Sequence, residues 1–387
     1  MTTVPARRAL AALRSTGSAS LEGLVRWSAA RAPDPAEPPG AEPRSILILR
    51  NNDLGDLLVV TPLFEALCRR FPEARITAAV GSWATDVLTG NPHVSEVLAV
   101  DAPWFNRSVR RQGPLARLRY ALRSEAVRDL ARRRFDVGID VLGSAWGSLL
   151  LIRAGIPRRL GVRGYAGGHS GATDCIEYSP REPVGRMALR FAEALGATDL
   201  PEARPQLFLS PEERARGEEA WRSIGGDGSP AAVRLVLAPG AGLPEKRWPL
   251  ERFVALTRHL LEDPRVRIAV VGSPADREAG ETLAAQSGPS GRVATFCGGS
   301  IRRTFALLAG GDGALSNSSM VLHAAAAFDK PTLVLLGPAF GSVSEHDAQW
   351  AHPGSLTLGP EPGTRPSIAP VDEATAAARR LFLEPGA

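Results

Sequence analysis

The chain has 387 residues, 44% hydrophobic and 22% charged, with 46 Lys and Arg against 41 Asp and Glu and a formal net charge of +5. That is the make-up of a globular protein long enough for two domains, and no apolar run reaches the roughly 18 residues that a membrane span needs. Cys68, Cys175 and Cys297 are odd in number and far apart, which excludes a disulfide framework and a zinc site and points to a reducing, cytoplasmic compartment.

Residues 1–44 read as a basic extension followed by a linker. Residues 1–31 hold one or two helical segments with Arg7, Arg8, Arg14, Arg26 and Arg31 among Ala and Leu, and lack the continuous apolar core of a secretory signal. Ala32 to Pro43 is too rich in proline for a helix or a central strand. The extension is expected to be disordered or loosely docked, with a basic amphipathic anchor on an anionic membrane face as the alternative.

From Ser45 short apolar runs alternate with helical patterns, the signature of βαβ units. The expected strands of the first half are Ile46–Leu49, Arg75–Val80, Val94–Val100 and Phe135–Asp140, with Arg159–Gly161 extended. Its helices are Pro62–Arg70 (or one starting at Asp56 and kinked at Pro62), Trp83–Thr89, Leu115–Arg134, Gly147–Ala154 and Pro183–Leu195. Pro201–Pro211 is turn-rich and leads into a second half. Its strands are Arg234–Ala238, Arg267–Gly272, Val293–Cys297, Gly313–Leu315 and Thr332–Gly337. Its helices are 211–224 capped by Ser210, Leu250–Leu261, Ala275–Gln286, Ile301–Ala309, Val321–Phe328 and Val371–Phe382. Two doubly wound domains with parallel sheets, facing each other across a cleft, are the simplest arrangement: 45–205, 206–370, and a last helix in 371–387.

Three polar stretches follow strands, where open α/β sheets bind ligands. Asp53 and Asp56 flank Gly55 after the first strand; Asp56 reads either as a general base or as a helix cap. Gly240-Ala241-Gly242 offers backbone N–H groups to a phosphate, with Lys246 and Arg247 nearby. This partial G-x-G lacks the third glycine of a dinucleotide fingerprint, and no Walker-type phosphate loop occurs. Asn317, Ser318 and Ser319 can cap the helix that carries His323, which reads as a phosphate partner or a packed core histidine. Asp276 is a ribose-hydroxyl partner or a helix N-terminal carboxylate. The run Arg107–Arg134 holds ten arginines, Arg110 and Arg111 among them, against Glu125 and Asp129. It reads as a solvated face or as the seat of an anionic acceptor. Zinc-finger spacings and RNA-binding aromatic motifs are missing, so nucleic acid is not an expected partner.

Four blocks in order resemble glycosyltransferase family 9, the bacterial heptosyltransferases. They are I-L-I-L-R…L-G-D-L-L-V-V-T-P-L-F-E-A-L-C-R-R-F-P, F-D-V-G-I-D-V-L-G-S with P-R-R-L-G, A-P-G-A-G-L-P-E-K-R-W-P-L-E-R-F, and N-S-S-M-V-L-H-A-A-A-A-F-D-K-P-T-L-V-L-L-G-P. The similarity spans about residues 45–383. It implies a GT-B fold of two Rossmann-like domains, acceptor-binding first and donor-binding second, with the last helix packing back on the first domain. It implies inverting, metal-independent and cofactor-free transfer of a sugar, usually heptose from ADP-heptose, to a lipopolysaccharide-core acceptor. Such an acceptor allows peripheral contact with the cytoplasmic face of the inner membrane.

By the resemblance Asp56 is the base and Lys246 a phosphate partner. Gly240, Ala241, Gly242, Asp276, Ser318, Ser319 and His323 fall on the donor side, and Asp53, Arg110 and Arg111 on the acceptor side. One departure stands out: where the family has N-D-S-G, this chain has Asn317-Ser318-Ser319-Met320. Serine replaces the donor-contacting aspartate, and methionine the glycine of close approach. Two alternatives follow: a degenerate relative that binds a nucleotide sugar or glycan without transfer, and a two-domain nucleotide-sugar epimerase.

Overall fold

A computed structural model describes residues 19–32, 42–224, 233–287, 291–361 and 368–384. Most of the expected proline-rich linker, and Arg7, Arg8 and Arg14, lie outside the described residues. The chain divides into two compact units, Met1–Thr85 with Pro92–Ser179 and Arg186–Glu202, and Ala203–Ala387 with Asp86–Asn91 and Pro180–Gly185.

In the first unit a helix at 19–29 (α1) precedes Ser45–Arg50 (β1), Leu54–Leu58 (α2), Pro62–Arg70 (α3), Arg75–Val80 (β2) and Glu96–Ala99 (β3). Pro114–Arg123 (α4), Glu125–Arg133 (α5), Val137–Asp140 (β4), Ala145–Arg153 (α6), Arg158–Arg163 (β5), Asp174–Glu177 (β6) and Val184–Ala194 (α7) follow. The six strands lie in the order β3-β2-β1-β4-β5-β6, all pairs parallel, with Leu49 opposite Ala79 on one side and Asp140 on the other. β1 is central, and its Ile46, Leu47, Ile48 and Leu49 are buried on both faces, as a parallel strand covered by helices must be.

In the second unit come Pro211–Arg222 (α8), Val233–Ala238 (β7), Leu250–Leu260 (α9), Val266–Val270 (β8), Arg277–Gln286 (α10) and Val293–Thr295 (β9). Ile301–Gly310 (α11), Gly313–Ser316 (β10), Met320–Ala326 (α12), Thr332–Leu335 (β11), Val343–Trp350 (α13), Ser355–Leu358 (β12) and Val371–Phe382 (α14) complete it. Its parallel sheet runs β12-β11-β10-β7-β8-β9, the same doubly wound order as the first. Arg302 ties this unit's segments together: its guanidinium donates to both Glu213 oxygens at 2.7 and 2.6 Å and to the carbonyls of Asp86 at 3.1 Å and Phe208 at 2.6 Å. That hydrogen-bonded partner holds the Glu213 carboxyl down to about 2.

Several expectations change. The helix expected over Leu115–Arg134 is two helices, because Ser124 turns extended and caps α5 by accepting from the Val127 N–H. The helix after β1 is also divided: α2 ends near Val59, and Thr61-Pro62 starts α3. The last helix was expected on the first domain, but the buried face of α14 belongs to the second core. Ala374, Ala377, Ala378 and Phe382 pack there with Leu235, Leu315 and Phe253. The segment at 19–32 is docked rather than loose: Val25 is fully buried in the first core, with Leu21, Leu24 and Ala29 packed around it.

The connection after β4 turns too tightly for any side chain. Gly143 has φ of 70°, and a Cβ there would lie 2.3 Å from Val162 Cβ. Gly143→Ala is expected to cost about 2–4 kcal/mol, the left-handed backbone penalty plus overpacking. Gly155, at φ of 73° with nothing within 4 Å of an added Cβ, supplies the control. Gly155→Ala should show the backbone part alone, about 1–2 kcal/mol. Urea denaturation of both variants checks the difference.

Candidate active site

In each sheet the strand order reverses beside the first strand of its unit, between β1 and β4 and between β7 and β10. The loops leaving those strands therefore frame a crevice at the carboxyl edge. Both clusters of candidate residues lie on these loops.

In the first unit, Arg50 ends β1 and is 5% exposed. Its Nε donates to the Asp56 carbonyl at 3.0 Å, and its Nη2 to Asp56 Oδ1 at 3.4 Å. Asp56 Oδ2 accepts from the Asp53 N–H at 3.3 Å, half of the capping box that starts α2. Asp56 is thus a helix-capping residue, and a buried cation fixes the orientation of its half-exposed carboxylate. Asp53 is occupied differently: Arg107 Nη2 pairs with its Oδ2 at 2.8 Å. Asn52 Nδ2 holds the same segment through the Phe105 carbonyl at 2.8 Å. Arg110 and Arg111 are exposed and, among the described residues, make no ion pair. Tyr165 packs against Tyr178, with ring centroids 4.7 Å apart and the planes tilted by 35°. Desolvation raises its phenol first and Tyr178 adds to that; Arg50 opposes, and Asp56 adds. The tyrosine therefore lies within electrostatic reach of the Arg50–Asp56 pair.

Asp140, at the end of β4, was legible only as the close of a strand. It is buried, and its Oδ2 accepts from the Ser144 N–H at 2.7 Å. Burial pushes its carboxyl up to about 6, against the pull of the Ser144 and Gly143 amides and of Arg50. An acid whose folded pKa is raised loses stability as pH rises from the unfolded value, near 3.8, to the folded one. Asp140→Asn removes that loss. In urea titrations at stepped pH, the variant's stability relative to wild type should climb between about pH 4 and 6 and level off above, by up to roughly 3 kcal/mol. A difference flat with pH excludes the assignment.

In the second unit the loop from Pro239 to Trp248 follows β7. Asn317, fully buried after β10, clamps it: Nδ2 donates to the Pro239 carbonyl at 2.7 Å and the Gly240 carbonyl at 3.2 Å, while Oδ1 accepts from the Trp248 N–H at 2.7 Å. The indole of Trp248 is anchored by the Ala369 carbonyl at 3.0 Å. Among the described residues the amides of Gly240, Ala241 and Gly242 meet no acceptor. Lys246 Nζ lies 5.5 Å from the Phe340 ring centre. Asp276 sits behind the loop, where a Cβ at Gly240 would come within 2.7 Å of it. Its Oδ2 accepts from the Ser273 N–H at 2.9 Å and Oγ at 2.7 Å, so it caps its own turn, and Arg247 stands 3.9 Å from its Oδ1.

Ser319 is the N-cap of α12 and accepts from the Val321 N–H at 3.4 Å. His323 is buried, with Nδ1 2.8 Å from His352 Nε2. Burial, then His352 and His346, hold His323 well below the usual range; burial and His346 bring His352 to about 4. Both rings are therefore neutral near pH 7, and His323 brings no positive charge to the loop. Ser318 Oγ is 2.9 Å from His346 Nε2, and His346 Nδ1 is 2.8 Å from Asp347 Oδ1. The sequence reading missed this histidine because it missed α13. The signal was Ser342-Val343-Ser344-Glu345: Ser342 caps the helix by accepting from the Glu345 N–H at 3.1 Å. Among the described residues no group of His, Cys, Asp and Glu could hold a metal, and no helix is long and apolar enough to cross a membrane.

The Asn317 clamp yields a direct expectation. Asn317→Leu leaves the Trp248 N–H and the Pro239 carbonyl buried without partners, at about 1–3 kcal/mol each. Thermal denaturation should show the loss, and proteolysis should find a new cut in 239–248.

Residues 123–341 match the family model for glycosyltransferase family 9 (heptosyltransferase). The chain is similar to lipopolysaccharide heptosyltransferase 2 of Escherichia coli strain K12, 26% identical over 302 residues that cover 76% of this chain and 83% of the relative. Among solved structures it resembles the family 9 glycosyl transferase of Veillonella parvula DSM 2008, with a TM-score of 0.73 at 20% identity, covering 88% of this chain and 98% of the other. It also resembles the E. coli ADP-heptose lps heptosyltransferase II, with a TM-score of 0.68 at 22% identity, covering 89% and 100%. The two sheets and these likenesses give the fold as GT-B, with two Rossmann-like units.

Proposed function

The chain belongs to glycosyltransferase family 9, and on that premise we propose that it moves a heptose from ADP-heptose to a lipopolysaccharide-core acceptor, with inversion at the anomeric carbon. One observation supports this most: Asp56, at the carboxyl edge of β1, is aimed by the buried Arg50. A carboxylate held in one orientation suits a general base better than a freely rotating one. In this reading Asp56 takes the proton of an acceptor hydroxyl as its oxygen bonds to the anomeric carbon. The bond from that carbon to the diphosphate oxygen breaks, and the diphosphate leaves with the electron pair. The unpaired amides of 240–242 and the Lys246 ammonium suit the charge that it carries away.

The relatives support the substrate classes: one is a lipopolysaccharide heptosyltransferase, and the other is named an ADP-heptose lps heptosyltransferase. The exposed Arg110 and Arg111 suit an anionic glycolipid acceptor and peripheral contact with the anionic, cytoplasmic face of an inner membrane. Ser318 and Met320 favour a second reading, a relative that binds the nucleotide sugar without transferring it.

Asp56→Asn separates the two. It should leave ADP-heptose affinity within about twofold and lower transfer by roughly 10²–10⁴-fold, the usual contribution of a general base. Donor binding by calorimetry and product formation by mass spectrometry read both quantities. Full activity in the variant ends the base assignment, and binding without turnover in the wild type supports the second reading.

A further inference from the structure

His346 and Asp347 take no part in the reading above, and the direction of the bonds that join them to Ser318 is fixed at the far end. Asp347 Oδ1 accepts from Thr357 Oγ1 at 2.7 Å and faces His346 Nδ1 at 2.8 Å. An ionised carboxylate only accepts, so Nδ1 is the donor in that bond, and in the neutral ring Nε2 is left as an acceptor. Nε2 meets Ser318 Oγ at 2.9 Å, so the serine O–H is the donor in that bond. Its single proton is thereby committed, and the hydroxyl presents only lone pairs to anything else. The ring cannot swing away: its side chain is 0% exposed, and the ring lies edge-on to Phe340 with centroids 5.4 Å apart. Phe340 is the ring that lies near the Lys246 ammonium, so the two candidate donor contacts share one aromatic support.

We propose that His346 and Asp347 are positioning residues that hold Ser318 as an oriented, neutral hydrogen-bond acceptor for a hydroxyl group of the nucleotide-sugar donor. The proposal rests on the reading of the Asn317–His323 segment as donor-side. A carboxylate at this position would be acceptor-only because it has no proton. Ser318 is acceptor-only because its proton is taken. The polarity of the family's aspartate is kept while its charge is removed. The hydroxyl recognised belongs either to the sugar or to the ribose, and the bond is weaker than one to a carboxylate, since charge-assisted bonds are roughly twice as strong.

Two measurements test this. Histidine 15N spectra of the full chain should show His346 as the neutral tautomer protonated at Nδ1. In Asp347→Asn the amide can donate to Nδ1, which moves the ring proton to Nε2 and reverses the bond to Ser318. A wild-type ring protonated at Nε2 overturns the proposal without any activity assay.

The second measurement is calorimetric, with ADP-heptose, its deoxyfluoro analogues at each sugar position, and 2′- and 3′-deoxyfluoro ADP. Fluorine cannot donate, so the wild type should bind one analogue about tenfold more weakly than its hydroxyl parent. Ser318→Ala and Asp347→Asn should both lose that discrimination. Whether a sugar or a ribose analogue is penalised identifies the source of the hydroxyl. Binding of ADP-heptose with no Ser318-dependent discrimination overturns this proposal alone. Failure of ADP-heptose to bind the wild type overturns the donor reading and this one together.

Discussion

The second unit depends on one buried amide. Asn317 has no exposed surface, and it bonds across the strand-order reversal to three backbone groups of the loop that follows β7. Its carboxamide offers both a donor end and an acceptor end, which no apolar or charged side chain of similar size does. Because the three partners are backbone groups, the bonds fix the path of the chain rather than the rotamer of a neighbour. Among the described residues the amides at 240–242 meet no acceptor, while the carbonyls of Pro239 and Gly240 are taken by Asn317. The path of the loop is therefore a property of β10 as much as of the loop itself.

The first unit meets the same topological problem with a charge. Arg50 is buried where an ordinary strand residue would be, and its guanidinium reaches both the backbone and the carboxylate of Asp56. A buried guanidinium needs compensation, and a buried carboxylate, Asp140, lies within its field. Asp140 is itself costly to ionise in that place. The network is thus balanced among three groups, and Asp56 alone among them is substantially exposed. That division, with two groups inside to orient and one outside to react, is what the loop needs if Asp56 is to meet an acceptor hydroxyl.

Much of this was legible in the sequence because parallel sheets write themselves as apolar runs. Ile46–Leu49 of β1, Leu235–Ala238 of β7 and Ile268–Val270 of β8 are runs in which every residue is buried, so their hydrophobicity is unbroken. The strands that escaped notice are edge strands. Asp174–Glu177 and Ser355–Leu358 have one neighbour each, are only partly buried, and mix polar with apolar residues over four positions. The helix α13 escaped because it is polar, with His346 alone buried. The docking of 19–32 was legible in hindsight: Leu21, Leu24 and Val25 make an apolar stripe at helical spacing beneath the arginines. What no local pattern contains is the meeting of Ser318 with His346, or of His323 with His352, because side chains 28 and 29 residues apart are joined only by the path of the fold.

That meeting also gives the departure from the family motif a physical context. Three histidines, His323, His346 and His352, stand close enough to influence one another, and two of them are held neutral by burial and by their neighbours. A carboxylate at position 318 would put a negative charge against His346 and favour the protonated form of the whole group. Charging that cluster is costly, since all three rings are buried. A serine adds no charge beside the imidazoles and still fills the hydrogen bond to Nε2. The substitution and the histidines are therefore mutually consistent: serine at 318 is the residue that this particular neighbourhood accommodates, and its hydroxyl keeps the site polar where a simple deletion of the aspartate would have left it empty.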